Sequence, residues 1–246
     1  MLKLLEIPLS KTTPGAKEGY DYVLTVIQGL HNSPNPMLDI SEVLISACPE
    51  LSKSIKTAAD YLDNAPQLPY HSARHHAIVS MFAVLIGRYQ KLEREKMREL
   101  LLTAIVHDLG YSPIITKSGP GIMERTSIVR AHELGIVEDE DLGAIINLNN
   151  ATIFPSGREG VLNSPNKIDV RRVLSDSDLI GSCGVSVKNY EYETSLIEEE
   201  GGFKLNPQAR YGFLKSVGPL TSVAGTFFQD AQVEILERQK KLAEAI

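Results

Sequence analysis

Basic clusters, paired cysteines and long apolar runs are all missing from this sequence, and each absence removes a class of protein. The cysteines are Cys48 and Cys183. Neither sits in a metal-binding pair spacing, and no disulfide framework is implied. No stretch approaches the roughly 18–20 apolar residues of a membrane span. The apolar start at residues 1–9 is broken by Glu6 and Pro8, and no small-residue cleavage site follows, so no secretory signal is expected. These features fit a cytoplasmic protein. Lysine and arginine form no runs, and the formal net charge is −6. Binding along a nucleic-acid backbone needs clustered cations and is disfavoured. A small phosphorylated substrate needs only one or two. Strand signals are sparse, and no internal repeat or low-complexity tract is present.

What the chain does have is helical periodicity. Its 246 residues, 43% hydrophobic and 23% charged, can bury a core without staples. Tyr20, Val23, Leu24, Ile27 and Leu30 recur at three- and four-residue spacing, predicting a helix over 17–30. Similar patterns predict helices through 40–47, over 51–63, over 70–89 and over 93–109, with Gly110 as a stop signal. Further helices are expected over 123–134, 138–150, 167–181 and 221–243. Prolines and glycines mark loops at 111–121 and 155–166, and 184–203 carries no clear pattern. The expected fold is an all-α, single-domain helical bundle, with a short hairpin near Tyr111 or Phe203. Residues 1–67 supply N-terminal helices, 68–181 the core, and 182–246 a C-terminal helical extension.

One polar pair stands out. The run Leu100-Leu101-Leu102-Thr103-Ala104-Ile105-Val106 is apolar on nearly every side, and it ends in His107-Asp108. Burying an imidazole and a carboxylate bare is costly, so they must be paired, hydrogen-bonded or bound to a metal. Together they suit a hard or borderline divalent ion. Of six histidines, five lie between 71 and 132. His71 and His75 are four residues apart, which on a helix puts them on one face. A metal can take one while the other points at whatever is bound beside it. His76 is rotated away, and a structural role is expected for it. Asp176 and Asp178 interrupt another apolar helix, and either can complete the set.

The ordered set of His75, His107-Asp108 and an aspartate in an apolar helix resembles the HD-domain superfamily of metal-dependent phosphohydrolases, over roughly residues 68–181. The stretch Tyr70-His71-Ser72-Ala73-Arg74-His75-His76-Ala77-Ile78-Val79 is similar to the YHNxxHxxxV signature of cyclic-nucleotide phosphodiesterases and related bacterial hydrolases, with Ser72 in place of the asparagine. Met123-Glu124-Arg125-Thr126-Ser127 looks like the helix start that follows the HD pair in many bacterial members. The resemblance implies an HD-type bundle with His75, His107, Asp108 and Asp178 as metal ligands, and His71 as general acid toward the leaving oxygen. It implies one divalent ion (Mn, Mg, Fe, Co or Ni), with room for a second through His132. It implies hydrolysis of a small, nucleotide-like phosphate ester.

That chemistry is coherent. A divalent ion lowers the pKa of water and neutralises phosphoryl charge. Asp108 can both ligate the ion and orient the attacking hydroxide. A histidine suits protonation of the leaving oxygen near neutral pH. Phosphate clamping falls to nearby cations, for which Arg74, Arg125 and Lys117 are the candidates. Leu109-Gly110 stands where the superfamily's ppGpp hydrolases carry an acidic pair, and the cyclic-di-GMP signature is absent. Two rival readings follow from the same residues: an HD-fold nucleotide-binding or signalling module without turnover, and an HD-type diiron oxygenase. No membrane or nucleic-acid partner is expected, and the sequence leaves the oligomeric state open.

Overall fold

A computed structural model describes residues 2–7, 9, 15–111, 121–164, 169–222 and 225–245. Among them are twelve α-helices and no strand: α1 (Ala16–His31), α2 (Pro36–Ala47), α3 (Ser52–Asn64), α4 (Ala73–Tyr89), α5 (Arg94–Val106), α6 (Ile122–Glu133), α7 (Leu142–Asn149), α8 (Ser156–Asn163), α9 (Val170–Cys183), α10 (Val187–Gly201), α11 (Pro207–Val217) and α12 (Gly225–Glu244). The all-α expectation therefore holds. The expected hairpin is not seen among the described residues: Phe203 lies in the connection after α10, and Tyr111 ends the turn that carries His107-Asp108.

Helix α4 is the axis of the bundle. Every residue from Ala73 to Gly87 is buried, because α2, α5 and α9 pack around it. Contacts fix the directions of its neighbours. His76 meets Ile105, while a Cβ on Gly87 would meet Met97 and Leu100, so α5 runs antiparallel to α4. His75 meets Asp178, and a Cβ on Gly181 would come within 2.7 Å of Ile78 Cγ2, so α9 runs parallel to it. Gly181 thus permits the close approach of α9 to α4 one turn beyond the point where their polar residues meet.

The apolar interior has two parts. The larger surrounds α4 and takes Val173, Leu174 and Ile180 from α9. The smaller gathers Leu179, Cys183, Tyr190, Leu214, Val217 and Ile235 from α9 to α12. Helix α9 belongs to both, so whatever its intervening face carries lies at their junction.

Several boundaries differ from the sequence reading, each for a local reason. Helix α4 begins at Ala73 and not at residue 70, since Ser72 is extended (φ −113°, ψ 172°). His71 therefore sits in a turn, one step before the helix that carries His75. Helix α5 ends at Val106, and His107-Asp108 occupy the following turn. The predicted loop at 155–166 contains α8, whose glycine-rich sequence shows no helical periodicity. Burial of Arg158 holds it in place. That guanidinium donates to Asp176 Oδ1 (2.8 Å), Ser175 Oγ (3.0 Å), Val217 O (2.9 Å) and Pro219 O (2.6 Å). The unplaced segment near 184–203 is α10, capped by Ser186, whose side chain accepts from the Asn189 amide.

Asp176 is fully buried and also accepts from the amides of Thr221 and Ser222. Removing either partner of a buried ion pair leaves the other uncompensated, at a cost of about 3–5 kcal/mol. Asp176→Ala and Arg158→Ala are each expected to lower unfolding stability by that amount in urea titrations. A loss below about 1 kcal/mol for both contradicts this role.

Candidate metal centre

Three chain segments converge on one point. The first turn of α4 brings His75, the turn after α5 brings His107 and Asp108, and α9 brings Asp178. His75 Nε2 lies 3.1 Å from His107 Nε2 and 3.4 Å from Asp108 Oδ2. His107 Nε2 lies 3.1 Å from Asp108 Oδ2. Asp178 Oδ1 is 3.4 Å from His75 Nε2 and 3.7 Å from His107 Nε2. His75, His107 and Asp108 form the one grouping of metal-ligand type among the described residues, with donor atoms all within 4.8 Å.

These separations suit a shared ion. Neighbouring donors around an ion at ~2.0–2.2 Å lie roughly 3.0 Å apart in octahedral and 3.4 Å apart in tetrahedral arrangements. The ring chemistry agrees. His107 Nδ1 is 2.9 Å from Ala104 O. A carbonyl only accepts, so Nδ1 carries the hydrogen and Nε2 faces the cluster, as in a metal-ligating imidazole. His75, His107 and Asp108 can therefore hold a divalent ion, and the described structure places Asp178 beside them.

Electrostatics without an ion show the same coupling. Burial opposes charge on every member. The Asp108 charge nevertheless raises the His107 ring well above its usual pKa, and hydrogen bonds to Asp108 and Asp178 raise His75. The Asp108 carboxyl, also buried, is held well below the carboxylate range by His107, and Asp178 falls to about 2 beside His107 and His75. His76 behaves differently. Its Nδ1 donates to Ile105 O at 2.8 Å, and burial drives its pKa well down, so it is a neutral structural histidine.

His71 stands at the rim of the cluster, with Nε2 3.8 Å from Asp108 Oδ2. Its placement depends on a residue that the sequence reading passed over. Glu200, at the end of α10, accepts from His71 Nδ1 at 2.6 Å, and its other oxygen accepts from the amides of Tyr70 (2.9 Å) and His71 (3.0 Å). Burial opposes the Glu200 charge, but these bonds outweigh it and hold the carboxyl below its usual pKa. The Tyr111 ring stacks on His71 with centroids 3.4 Å apart. In the sequence Glu200 only closes the acidic run Glu198-Glu199-Glu200. The sequence carries no signal that it folds back 129 residues onto His71.

Other expected residues fall elsewhere. Arg74 is buried, its Nη2 3.1 Å from Glu193 and its guanidinium over the Tyr192 ring, outside the cavity lining. Arg125 is exposed near the start of α6 and is also outside that lining. Lys117 lies outside the described residues. His132 is a surface residue paired with Asp139 at 2.8 Å, so it brings no second ion to this cluster. Cys183 is buried and its thiol is pushed up to about 12, which removes it as a nucleophile.

A cavity of about 500 Å³ opens beside the cluster and includes His71, His75, Asp108 and Asp178 in its wall. The larger cavity, about 620 Å³, lies at Gln90–Glu99 and Arg171, away from these groups. No helix of the described residues is long and apolar enough to cross a membrane. No protein-family model matches the chain, and no curated protein matches it.

Two outcomes are expected of the isolated protein. Elemental analysis should find a divalent metal near one per chain, lost in His107→Ala. A metal must also displace the proton that the raised pKa keeps on His107. Binding should then release protons and tighten as pH rises through the neutral range. Affinity independent of pH between about 6 and 8 contradicts this coupling.

Proposed function

We propose that the chain is a metal-dependent hydrolase of small phosphate esters, the reaction that its resemblance to HD-domain phosphohydrolases implies. The observation that carries the proposal is the pairing of a metal-type cluster with an oriented histidine at one cavity. A divalent ion bound there supplies charge neutralisation for the phosphoryl group and acidifies water. Under this reading His75, His107, Asp108 and Asp178 hold the ion.

The remaining work falls to side chains. Asp108 lies between both ligand imidazoles and His71, where it can accept a hydrogen bond from the attacking water and orient it, the water's proton being lost to solvent. The water oxygen bonds to phosphorus as the bond to the leaving oxygen breaks. His71 keeps its Nδ1 hydrogen on Glu200, so its Nε2 points toward Asp108 and the cavity. In the imidazolium form Nε2 delivers a proton to the leaving oxygen. Glu200 touches no reacting atom. It is a positioning residue that fixes the tautomer and orientation of His71. His132 lies in its own surface pair, so no observation favours the two-metal oxygenase reading.

The decisive experiment is turnover of cyclic, diester and monoester phosphates by the metal-loaded protein. His107→Ala and Asp108→Ala should each abolish turnover, a loss of roughly 10³-fold or more if both groups act at the reacting centre. Glu200→Gln should reduce kcat by about 10- to 100-fold with metal content intact. Activity surviving in His107→Ala and Asp108→Ala refutes the proposal.

A further inference from the structure

We infer that the substrate's ester group is apolar, an aryl or alkyl body, and not a free nucleoside. This inference rests on the hydrolase reading and, for the substrate, departs from the nucleotide-like class that the resemblance implies. The cavity leads from the metal cluster between α9, α10 and α11, past the turn before α8. Leu179, Ile197 and Leu205 line its wall, and Phe154, Phe203 and Phe213 line its mouth. The three phenylalanines are 38%, 47% and 38% exposed, although large apolar side chains are usually covered. Phe154 and Phe213 hold their ring centroids 5.2 Å apart. All three line the same cavity as the cluster.

Several polar groups of the same wall are already engaged by the protein. Thr152 Oγ1 donates to Asn149 O, Ser182 Oγ to Leu179 O, and Cys183 Sγ to Leu179 O. Glu193 is bonded to Arg74 and His31. Every nitrogen of Arg158 has a partner. Arg210 pairs with Glu198. Among the buried side-chain polar atoms of the described wall, only Glu124 Oε2 and Arg210 Nε have none. The fully buried part of the wall thus leaves the edges of a base and the hydroxyls of a sugar little to pair with. A nucleoside would strip water from groups it could not pair here, whereas an apolar body loses nothing of that kind. A volume of about 500 Å³ is ample for a substituted ring or a medium chain.

The test compares benzyl phosphate, methyl phosphate and AMP as substrates of the metal-loaded protein, alongside binding of benzylphosphonate and methylphosphonate by calorimetry. Benzylphosphonate should bind on the order of 10- to 100-fold tighter than methylphosphonate, as burial of an aromatic ring predicts. Benzyl phosphate should exceed AMP in kcat/KM by at least about ten-fold. Phe213→Ala and Phe203→Ala should each narrow the benzyl-to-methyl binding ratio, and both positions are exposed enough for the variants to fold. AMP turned over better than benzyl phosphate, or equal binding of the two phosphonates, overturns the inference and leaves the hydrolase reading standing. Tight benzylphosphonate binding with no turnover of any ester refutes the hydrolase reading and keeps the apolar site.

Discussion

Moving two imidazoles and two carboxylates out of water is costly, and this bundle is arranged so that they lose water together. Each would be prohibitive alone inside the apolar packing of α4, α5 and α9. Gathered within 3.1–3.7 Å they compensate one another, which is why the rings are raised and the acids lowered. Pairing of that kind rarely repays the full desolvation cost without further partners. The His107 ring recovers part of it by donating Nδ1–H to Ala104 O. A divalent ion would recover more, so binding and folding are thermodynamically linked at this point.

Holding that geometry requires three backbones to come close at a single level. Gly181 lets α9 approach α4, and Gly110 does the same for the turn after α5. A Cβ on Gly110 would sit 2.8 Å from the Ser127 amide nitrogen and from the Thr126 carbonyl carbon. The Gly110 amide donates to Ser127 Oγ at 3.0 Å, and Asn149 reaches the carbonyls of Glu124 (3.2 Å) and His107 (3.5 Å). The polar pair is thus clamped from below by α6 and α7 while the Asp108 side chain faces the cavity.

Much of this was legible because buried polar residues interrupt apolar periodicity. His107-Asp108 and Asp178 announce themselves as charges where hydrophobic residues are expected, and His75 follows from helical spacing. The misses share another cause. Glu200 and Arg158 lie in segments with no periodicity to break, so nothing local distinguishes a buried anchor from a solvated charge. Their partners are remote in sequence, as the 129-residue span from His71 to Glu200 shows. Arg74 misled in the opposite way. It adjoins the histidines in sequence, but its helical position turns it toward Glu193 and Tyr192. His71 was assigned to a helix because Ser72 gives no sign that it is extended.

The two aspartates of α9 show how charge is divided. Residues two apart on a helix face nearly opposite sides. Asp178 therefore looks into the cluster, while Asp176 looks away and is neutralised by Arg158. Arg158 lines the cavity, yet its hydrogen bonds to Asp176, Ser175, Val217 and Pro219 leave no bidentate N–H face for an anion. Under the proposed ligand set, a divalent ion with two neutral imidazoles and two carboxylates has no net charge. A centre of that kind exerts little long-range pull on an anionic substrate, so recognition must come from contact. The contact surface on offer is the apolar wall between α9 and α11. Under the proposed function the labour divides accordingly: a neutral centre would reserve its polarity for charge that develops during reaction, and the apolar walls would hold the substrate while excluding water that would screen it.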